Sequence, residues 1–417
     1  MMSTDVSRRE FMALVGTGLL ASGGAVRAQS GQRMFAYVGS WTMGPFGTGG
    51  GGGLHVFSVD MSNGTLTPVM RTTGPAYENF HVGYMQVSPN GRFLYATNEV
   101  ENHDGEFNGG AVVTFAINQA DGSITEISKQ HSMGVYPAYL AIDKAGTMVI
   151  IANHGNYDAS VRVVKKNGVP EIEKVWDDGT VSIFPVKPDG TLDRASDVHI
   201  LDRTTSVDTY SQRSAHAHSV NFDPSYRMAL AADKGTDHIY TYRIEKGRTL
   251  ANPRAFKTAP GIAPRHSTFH PRLPYVYVVN ERESSLSVYR YDAATADITF
   301  IETVPTVPAG TARNSPADVH VHPNGRFVYS SNRGHNSLAI FRIDEATGRL
   351  ALVEITPTQG NTPRAFNFDP TGRFVFAANQ GSSNIVTFSA DPETGKLTPT
   401  GAKVEVPRPV CVKFATI

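Results

Sequence analysis

Cysteine and net charge are scarce in this sequence, and each absence narrows the class of protein. Cys411 is the single cysteine among 417 residues, which excludes an internal disulfide, so packing must stabilise the fold. The 38 Lys and Arg residues balance 38 Asp and Glu residues, which gives no reason to expect nucleic acid or an anionic membrane as a partner. A Gly-x-Ser-x-Gly motif is also missing, which argues against a serine nucleophile on a nucleophile elbow.

Long hydrophobic runs are missing too. The apolar run from Met12 to Val26 has about 15 residues, which is too short for a stable membrane-spanning helix. It follows a twin-arginine signature, Ser7 to Phe11 (SRREF), and ends at small residues suited to cleavage after Ala28. Residues 1–28 are therefore expected to be a signal peptide that the export machinery reads, with an ordinary amphipathic helix as the alternative. The mature chain, residues 29–417, is expected in the periplasm or secreted.

An internal repeat predicts the architecture. A unit of strand, tight turn and strand recurs about every 50 residues, with complete copies at 87–98, 142–153, 222–233, 269–280, 321–332 and 368–379. A seventh, partial copy at 34–40 has the second strand but lacks the turn before it. Pro-Asn-Gly and Pro-Thr-Gly in the turns supply the φ angles that tight turns need. The strand after each turn is short and apolar, as a strand buried on both faces must be.

Two more strands follow each copy, so the chain is expected to be all-β. Four antiparallel strands per repeat form a blade, and seven second strands predict a seven-bladed β-propeller. The first blade lacks its innermost strand, while residues 409–414 form a strand without a partner. The C-terminal strand is therefore expected to complete blade one and close the ring, which leaves no exposed sheet edge. A closed ring also makes a monomer the expected state.

One interval between repeats is longer than the others. It holds an insertion near 158–178, which is predicted to be a hairpin because two strand-like runs flank Asn167-Gly168. The sequence shows no domain boundary after Gln29, so residues 29–417 are expected to form one domain. The insertion follows a second strand, where it could reshape a binding pocket.

Propeller topology sorts the polar motifs between two faces of the ring. The site face carries the starts of the first strands and the ends of the second strands, and the turn face carries the turns between them. His270 and His322, beside turn prolines, fall on the turn face and are expected to be structural. The site face is expected to gather His216, His218, Arg265, His266, Asp318, His320, Arg364, Glu281, Asn332, Arg333 and Gln380, with Glu99 and His154 beside them. Convergent polar groups in a concave place are the default hypothesis for an active site.

Each of these groups also has a structural interpretation. The recurrent Asn at the end of the second strand can cap the backbone there. Glu281 and Arg333 can form a simple ion pair, and Arg265 and Arg364 can bridge neighbouring blades. Cys411 lies in an apolar strand and is expected to belong to the core.

Taken together, the motifs resemble the lactonase β-propeller family, which includes bacterial 6-phosphogluconolactonases of the propeller type and fungal carboxymuconate-lactonizing enzymes. The resemblance covers the mature chain and rests on HAHS at 216–219, PRH at 264–266, VNE at 279–281, ADVH at 317–320, SNRGH at 331–335, PR at 363–364, ANQ at 378–380 and PVCV at 409–412. It implies a seven-bladed propeller that acts on a small acidic lactone. In the lactonizing enzymes a His, two Arg and a Glu are proposed to act. Their counterparts here are a His of the pair His216/His218, Arg265, Glu281 and Arg333.

The expected reaction is hydrolysis without a cofactor or a metal. Glu281 or a His of the 216/218 pair would activate water, and Arg265 or Arg333 would stabilise the oxyanion. Arg364 would hold a carboxylate or phosphate of the substrate. The remaining contacts to the substrate are assigned to His266, Asp318, His320, Asn332 and Gln380.

Three alternatives stay open. The same residues could run a lactonizing reaction. The Asn/Asp ring with Glu99 and Glu281 could hold a divalent cation, or the propeller could bind a ligand without catalysis. The export signal argues against a phosphorylated sugar lactone, because that compound forms in the cytoplasm.

Overall fold

The computed structural model describes residues 33–41, 53–78, 80–103, 109–245 and 248–417. This part of the chain contains thirty strands and one short helix. These strands form seven four-stranded antiparallel sheets and one separate hairpin. In the described residues no helix combines the length and the apolar character needed to cross a membrane. The predicted signal peptide, residues 1–28, lies outside the described residues.

Each sheet is one blade. Blade 1 contains β1 (Met34–Ser40), β2 (Leu54–Val59) and β3 (Leu66–Arg71), and helix α1 (Pro75–Glu78) follows it. Blade 2 contains β4 (Val82–Val87), β5 (Phe93–Asn98), β6 (Ala111–Ile117) and β7 (Ile124–His131). Blade 3 contains β8 (Pro137–Ile142) and β9 (Met148–Asn153), then, after the hairpin of β10 (Ser160–Lys166) and β11 (Val169–Val175), β12 (Thr180–Pro185) and β13 (Asp197–Ile200).

Blade 4 contains β14 (Ala217–Phe222), β15 (Met228–Asp233), β16 (His238–Glu245) and β17 (Thr249–Lys257). Blade 5 contains β18 (Pro264–Phe269), β19 (Tyr275–Asn280), β20 (Ser285–Asp292) and β21 (Asp297–Pro305). Blade 6 contains β22 (Ser315–Val321), β23 (Phe327–Arg333), β24 (Ser337–Ile343) and β25 (Leu350–Pro357). Blade 7 contains β26 (Pro363–Phe368), β27 (Phe374–Asn379), β28 (Asn384–Ala390) and β29 (Leu397–Glu405), and β30 (Pro409–Thr416) ends the chain.

The C-terminal strand closes the ring. β30 pairs antiparallel with β1 along its length, from Met34 opposite Thr416 to Ser40 opposite Pro409, and becomes the innermost strand of blade 1. The prediction of an all-β, seven-bladed propeller closed by its C-terminus is therefore confirmed. Closure pairs the edges that an open arrangement of blades would leave exposed.

Packing between blades explains why the second strands are apolar on both faces. Every residue of β19 and β27 is buried, because alternate side chains contact the blade on either side. Tyr277 and Val279 of blade 5, for example, share one apolar cluster with Val319 and Val328 of blade 6. Charged side chains along these strands would lose their water without gaining partners.

The turn-face histidines link neighbouring turns. His270 Nε2 donates to the backbone oxygen of Gly325 at 2.8 Å, and His322 Nε2 donates to that of Gly372 at 2.9 Å. Gly325 has a φ of 77°, and a Cβ atom there would lie 3.0 Å from the His270 ring. These contacts are the structural role expected for both histidines.

The hairpin of β10 and β11 stands on the site face, because it follows the end of a second strand. Its turn, Asn167-Gly168, has positive φ at both residues, as the two-residue turns of β-hairpins require. Near its base, Arg213 Nη2 lies 2.8 Å from Asp158 Oδ1 and donates to the backbone oxygen of Tyr157 at 3.1 Å.

Each innermost strand carries a β-bulge close to its start. In every blade the register with the second strand slips by one residue there. The residues at the bulge, directly after the partner of the Ser, Asn or Asp near the end of the second strand, are Val410, Gly83, Ala138, His218, Arg265, Ala317 and Arg364 in blades 1 to 7. A bulge re-aims the side chain that it carries, and three of these residues are predicted site residues.

Candidate active site

The mouth of the channel on the site face is built from two positions that recur in every blade. One position is the bulge just described. The other is the residue after the terminal Ser, Asn or Asp of the second strand, which is Trp41, Glu99, His154, Lys234, Glu281, Arg333 and Gln380 in blades 1 to 7. Because the bulge of the innermost strand lies near the end of its partner strand, the two sets meet around one opening.

Glu281 is the centre of an ion cluster. Its carboxylate lies 3.1 Å from Lys234 Nζ, 2.7 Å from Arg333 Nη2 and 3.5 Å from Arg265 Nε. Burial raises the pKa of Glu281, but the charges of Lys234, Arg333 and Arg265 outweigh burial and hold that pKa well below its usual value. The carboxylate is therefore ionised at neutral pH, and the cluster keeps an excess of positive charge.

The two arginines of the cluster are held differently. Arg333 donates from Nε to the backbone oxygen of Ser315 at 3.0 Å and from Nη2 to Ser315 Oγ at 2.9 Å. Arg265 is only 1% exposed, and its Nη1 donates to the backbone oxygen of Ala317. Arg265 Nε has no hydrogen-bond partner among the described residues. Burial and the charge of Arg333 lower the pKa of Arg265 to about 9, so the guanidinium still carries its proton at neutral pH.

Lys234 and Tyr157 belong to the mouth, although sequence reasoning did not select them. Lys234 Nζ lies 5.6 Å from the ring centroid of Tyr157, and the Tyr157 ring lies 4.7 Å from His154 and 4.8 Å from His216. Lys234 follows Asp233 as Glu281 follows Asn280, so the repeat position alone could have revealed it. Tyr157 has no such signal, because it lies in the irregular segment before the hairpin.

The two histidines of the 216/218 pair have different surroundings. The His216 ring stacks on that of His154 at 4.4 Å, and its Nδ1 donates to the backbone oxygen of His154 at 2.9 Å. The Nδ1 atom of His218 has no partner among the described residues. Burial lowers the pKa of His216 to about 4. Burial and the charges of Arg265 and Lys234 hold the pKa of His218 well below its usual value, so both rings are neutral at neutral pH.

Asp318 binds two histidines inside the channel. Its carboxylate lies 2.9 Å from His266 Nδ1 and 3.1 Å from His320 Nε2. Burial raises the pKa of Asp318, but His320 and His266 reverse that effect and hold the pKa well below its usual value. Burial and the charge of Arg265 lower the pKa of His266 to about 3. His266 Nε2 is without a hydrogen-bond partner among the described residues.

The expected position of His320 on the site face is wrong. Strand β22 begins at Ser315, which pairs with Arg333, so Asp318 lies past the bulge and His320 lies farther along the strand. His320 lines a cavity on the turn face instead. Residues of an extended strand advance about 3.3 Å each, which carries His320 away from the mouth.

Asn332 and Gln380 are two further predicted site residues. Asn332 is fully buried, accepts a hydrogen bond from Thr306 Oγ1 at 2.8 Å and donates to the Thr306 backbone oxygen at 2.9 Å. These bonds join the end of β23 in blade 6 to the segment that follows β21 in blade 5, which is a structural role for Asn332. The backbone N–H of Gln380 donates to the Thr362 oxygen at 2.9 Å at the edge of the mouth.

Arg364 lies across the mouth with a second carboxylate. Its Nη2 is 3.9 Å from Glu99 Oε2, and its guanidinium lies 4.0 Å from the ring centroid of Trp41. Burial raises the pKa of Glu99 despite the opposing charges of Arg364 and Arg265. The two carboxylates of the mouth therefore have pKa values shifted in opposite directions, an arrangement that separates proton donors from bases.

A metal site is not assembled in the described part of the chain. No three His, Cys, Asp or Glu side chains are grouped there so that they could hold a metal ion. Lys234, Arg265 and Arg333 around Glu281 would also repel a cation. The described residues therefore do not fit the alternative in which Glu99 and Glu281 join the Asn/Asp ring to bind a divalent ion.

Comparisons with known proteins agree with this architecture. The family model described as "Lactonase, 7-bladed beta-propeller" matches residues 35–414. The 6-phosphogluconolactonase of Bacillus subtilis is 32% identical over 383 residues, which cover 92% of this chain and 98% of that protein. The 6-phosphogluconolactonase of Formosa agariphila is 30% identical, with 78% and 83% covered.

Among solved structures, the periplasmic gluconolactonase of Pseudomonas aeruginosa is similar, with a TM-score of 0.75 and 27% identity. The similarity covers 92% of this chain and 99% of that one. The matched family model spans nearly all the described blades. The chain therefore belongs to the lactonase family of seven-bladed β-propellers.

Proposed function

We propose that this protein hydrolyses a small, acidic, sugar-derived lactone at the site-face mouth of the channel. The observation that carries the proposal is the cluster of Lys234, Arg265 and Arg333 around one carboxylate, Glu281, beside the neutral ring of His218. Three cations against one anion leave positive charge for an acidic substrate and for the oxyanion that forms during hydrolysis.

The contacts favour His218 over Glu281 as the base. Contacts to Lys234, Arg265 and Arg333 already occupy the Glu281 carboxylate, so Glu281 serves mainly to position these cations. His218 is neutral, and its Nδ1 has no partner among the described residues. It can take a proton from water as the water oxygen attacks the lactone carbonyl carbon, and general bases of this kind act at hydrogen-bond distance.

Arg265 is the candidate for oxyanion stabilisation. Its buried Nε–H makes no hydrogen bond to the described residues, although it lies 3.5 Å from the Glu281 carboxylate, so it is assigned to the negative oxygen of the tetrahedral intermediate. Donors that are already oriented stabilise such an intermediate most effectively. When the ring C–O bond breaks, the leaving alkoxide needs a proton, and Glu99, with its raised pKa, is suited to supply it.

Arg364 and Lys234 are assigned to the acidic group of the substrate. Both lie at the mouth. Among the described residues Arg364 pairs only with Glu99 and Lys234 only with Glu281, so each can also bind an anion of the substrate. Guanidinium groups bind carboxylate and phosphate in a forked geometry. A carboxylated lactone fits better than a phosphorylated one if the protein is exported, because phosphorylated sugar lactones form in the cytoplasm.

Export is the second part of the proposal. The run from Ser7 to Phe11 would direct the folded chain through the twin-arginine pathway, and cleavage after Ala28 would release residues 29–417 as a monomer in the periplasm. The similar structure named a periplasmic gluconolactonase is consistent with this location. Replacing Arg8 and Arg9 by Lys should retain the protein in the cytoplasm. A periplasmic fraction whose mature chain does not begin at Gln29 would contradict the cleavage site.

A hydrolysis screen tests the activity. Purified residues 29–417 are assayed with a pH indicator against sugar lactones that bear a carboxylate, a phosphate or no charge, with and without EDTA. We expect turnover of acidic lactones that resists EDTA and is lost in His218→Asn. His199→Asn, on the outermost strand of blade 3, is the matched control and should stay active. Well-folded protein that opens none of these lactones would contradict hydrolysis and favour the lactonizing or binding alternatives.

A further inference from the structure

The channel has a second opening, on the turn face. A cavity of about 680 Å³ lies there, among the ends of the innermost strands and the turns that follow them. Its wall includes Tyr84, Tyr139, His320 and Lys413, none of which lies at the mouth on the site face. The volume falls within the range of about 300–1,000 Å³ that is common for small-molecule sites.

Lys413 is exceptional among the equivalent residues of the seven blades. In every blade, one residue of the innermost strand pairs with the residue that lies three positions before the Ser, Asn or Asp near the end of the second strand. In blade 1 Lys413 pairs with Tyr37, and in blade 7 Asn367 pairs with Phe376. In blades 2 to 7 this residue is Gln86, Ala141, Asn221, Thr268, His320 and Asn367. The fold is therefore built six times without a lysine here, so the propeller does not need the ammonium group for its structure.

The ammonium group is buried, and no described carboxylate forms an ion pair with it. Lys413 is 7% exposed, and its Nζ donates to Tyr84 Oη at 2.8 Å and lies 4.2 Å from the centroid of that ring. Among the described residues, no carboxylate oxygen is within ion-pair distance of Nζ. A buried ammonium is costly unless an anion or further acceptors reach it, and two of its three N–H groups have no acceptor among the described residues.

The carboxylates nearest the cavity are already occupied. Asp223 accepts hydrogen bonds from the backbone N–H groups of Arg227 and Met228 at 2.8 Å, and Asp369 accepts one from Phe374 at 2.7 Å. Each of these aspartates therefore belongs to its own turn. Asp318, deeper in the channel, is bonded to His266 and His320, as described above.

Uncharged groups with hydrogen-bonding capacity share the cavity with Lys413. The Gln86 amide and the Thr268 hydroxyl make no side-chain hydrogen bond to the described residues and line the cavity wall. The Tyr84 hydroxyl accepts a hydrogen bond from Lys413. One buried cation beside neutral donors and acceptors suits a ligand with one negative charge and several hydroxyl groups.

We propose that the turn-face cavity is a second binding site, which takes a small hydroxylated carboxylate with its carboxylate on Lys413 and its hydroxyl groups on Gln86 and Thr268. The site is separated from the mouth by the stacked rings of Tyr84 and Tyr139, whose centroids are 3.7 Å apart, and by His266, 5.0 Å from Tyr139. Its occupancy does not depend on the reaction proposed for the mouth.

Calorimetric titration of the whole mature chain with gluconate tests the site. The titration is made in Arg333→Ala, to weaken binding at the mouth, with and without Lys413→Met, which keeps the length of the side chain and removes its charge. We expect Lys413→Met to weaken gluconate binding by about tenfold or more, because the partner of a buried charge is lost. Lys144→Met, at the rim of the cavity, is the matched control and should change binding little.

Three results would overturn the proposal. These are gluconate binding that Lys413→Met leaves unchanged, no gluconate binding in Arg333→Ala, or inorganic phosphate that binds as tightly as gluconate. Loss of an uncompensated buried charge should not lower the thermal midpoint, so unfolding curves separate a binding defect from misfolding. If Lys413→Met does not fold, Lys413→Gln provides the same comparison. Lactone hydrolysis by the Lys413 variants is measured alongside, so failure at the mouth and failure at this cavity stay distinguishable.

Discussion

Replacing Glu281 by Gln removes the carboxylate that Lys234, Arg265 and Arg333 share. Each contact, at 2.7 to 3.5 Å, corresponds to about 5 kcal/mol of attraction at an effective dielectric constant of about 20, and desolvation cancels most of it. Removing one partner of a buried ion pair costs about 3–5 kcal/mol. Because the Glu281 side chain is 17% exposed, we expect the lower end, about 3 kcal/mol of unfolding free energy.

Urea unfolding at several pH values measures this loss and its origin. The folded pKa of Glu281 is depressed, so its contribution to stability is present above the unfolded value near 4.5 and disappears as the pH falls below it. The difference between wild type and Glu281→Gln should therefore be largest at neutral pH and shrink in acid. Glu283→Gln, two residues away on the exposed surface, is the matched control and should change stability by less than about 0.5 kcal/mol.

A variant Glu281→Gln that is as stable as the wild type at neutral pH would refute this reasoning. Such a result, combined with lost activity, would mean that the carboxylate is poised as a base and contributes little to holding the cations. A loss of stability that stays constant down to pH 3 would also contradict it, because the effect would then not arise from the charge of Glu281.

The two histidines of the 216/218 pair should respond differently to substitution. His218→Asn should lower kcat by about 100-fold or more and leave the urea midpoint unchanged, whereas His216→Asn should mainly lower the midpoint; equal effects on kcat would remove the distinction. Because burial lowers the pKa of His216 to about 4, the unfolded chain binds the proton more readily. Stability should therefore fall between pH 6.5 and about 4, and fall less in His216→Asn. Arg364→Ala should raise KM for a carboxylated lactone about tenfold and leave KM for a neutral lactone unchanged, and a uniform rise would contradict its assignment. Glu99→Gln should lower kcat but not KM and should remove the alkaline limb of the pH–rate profile, and an unchanged profile would exclude Glu99 as the proton donor.

Most of the fold was accessible from the sequence because a propeller repeats its local rules. The recurrent strand, turn and strand predicted seven blades, and the unpaired strand at 409–414 predicted closure by β30. Both predictions are confirmed, as is membership of the lactonase family. The insertion near 158–178 contains the hairpin of β10 and β11. The signal peptide at residues 1–28 remains a prediction, since it lies outside the described residues.

The site was harder to predict than the fold, because motifs give position along a strand only approximately. His320 was expected at the mouth but lies on the turn face, since β22 begins at Ser315. Asn332 joins strands through bonds to Thr306. Lys234 was overlooked because its neighbours form no recognisable motif, although the repeat places it beside Glu281. Contacts across blades, such as Tyr157 with His216, depend on irregular loop geometry that no local pattern encodes.

The distribution of side chains around the mouth explains how a symmetric fold can bind an asymmetric substrate. At the bulge, blades 1 to 3 present Val410, Gly83 and Ala138, whereas blades 4, 5 and 7 present the ionisable residues His218, Arg265 and Arg364. Since a bulge re-aims the side chain that it carries, substituting this one position can convert a structural feature into a binding group. Small residues on one side leave room for a sugar ring. In the proposed function, the charged residues opposite would fix the direction of its acidic group and its carbonyl oxygen, so we expect the orientation of the lactone to follow from which blades carry charge.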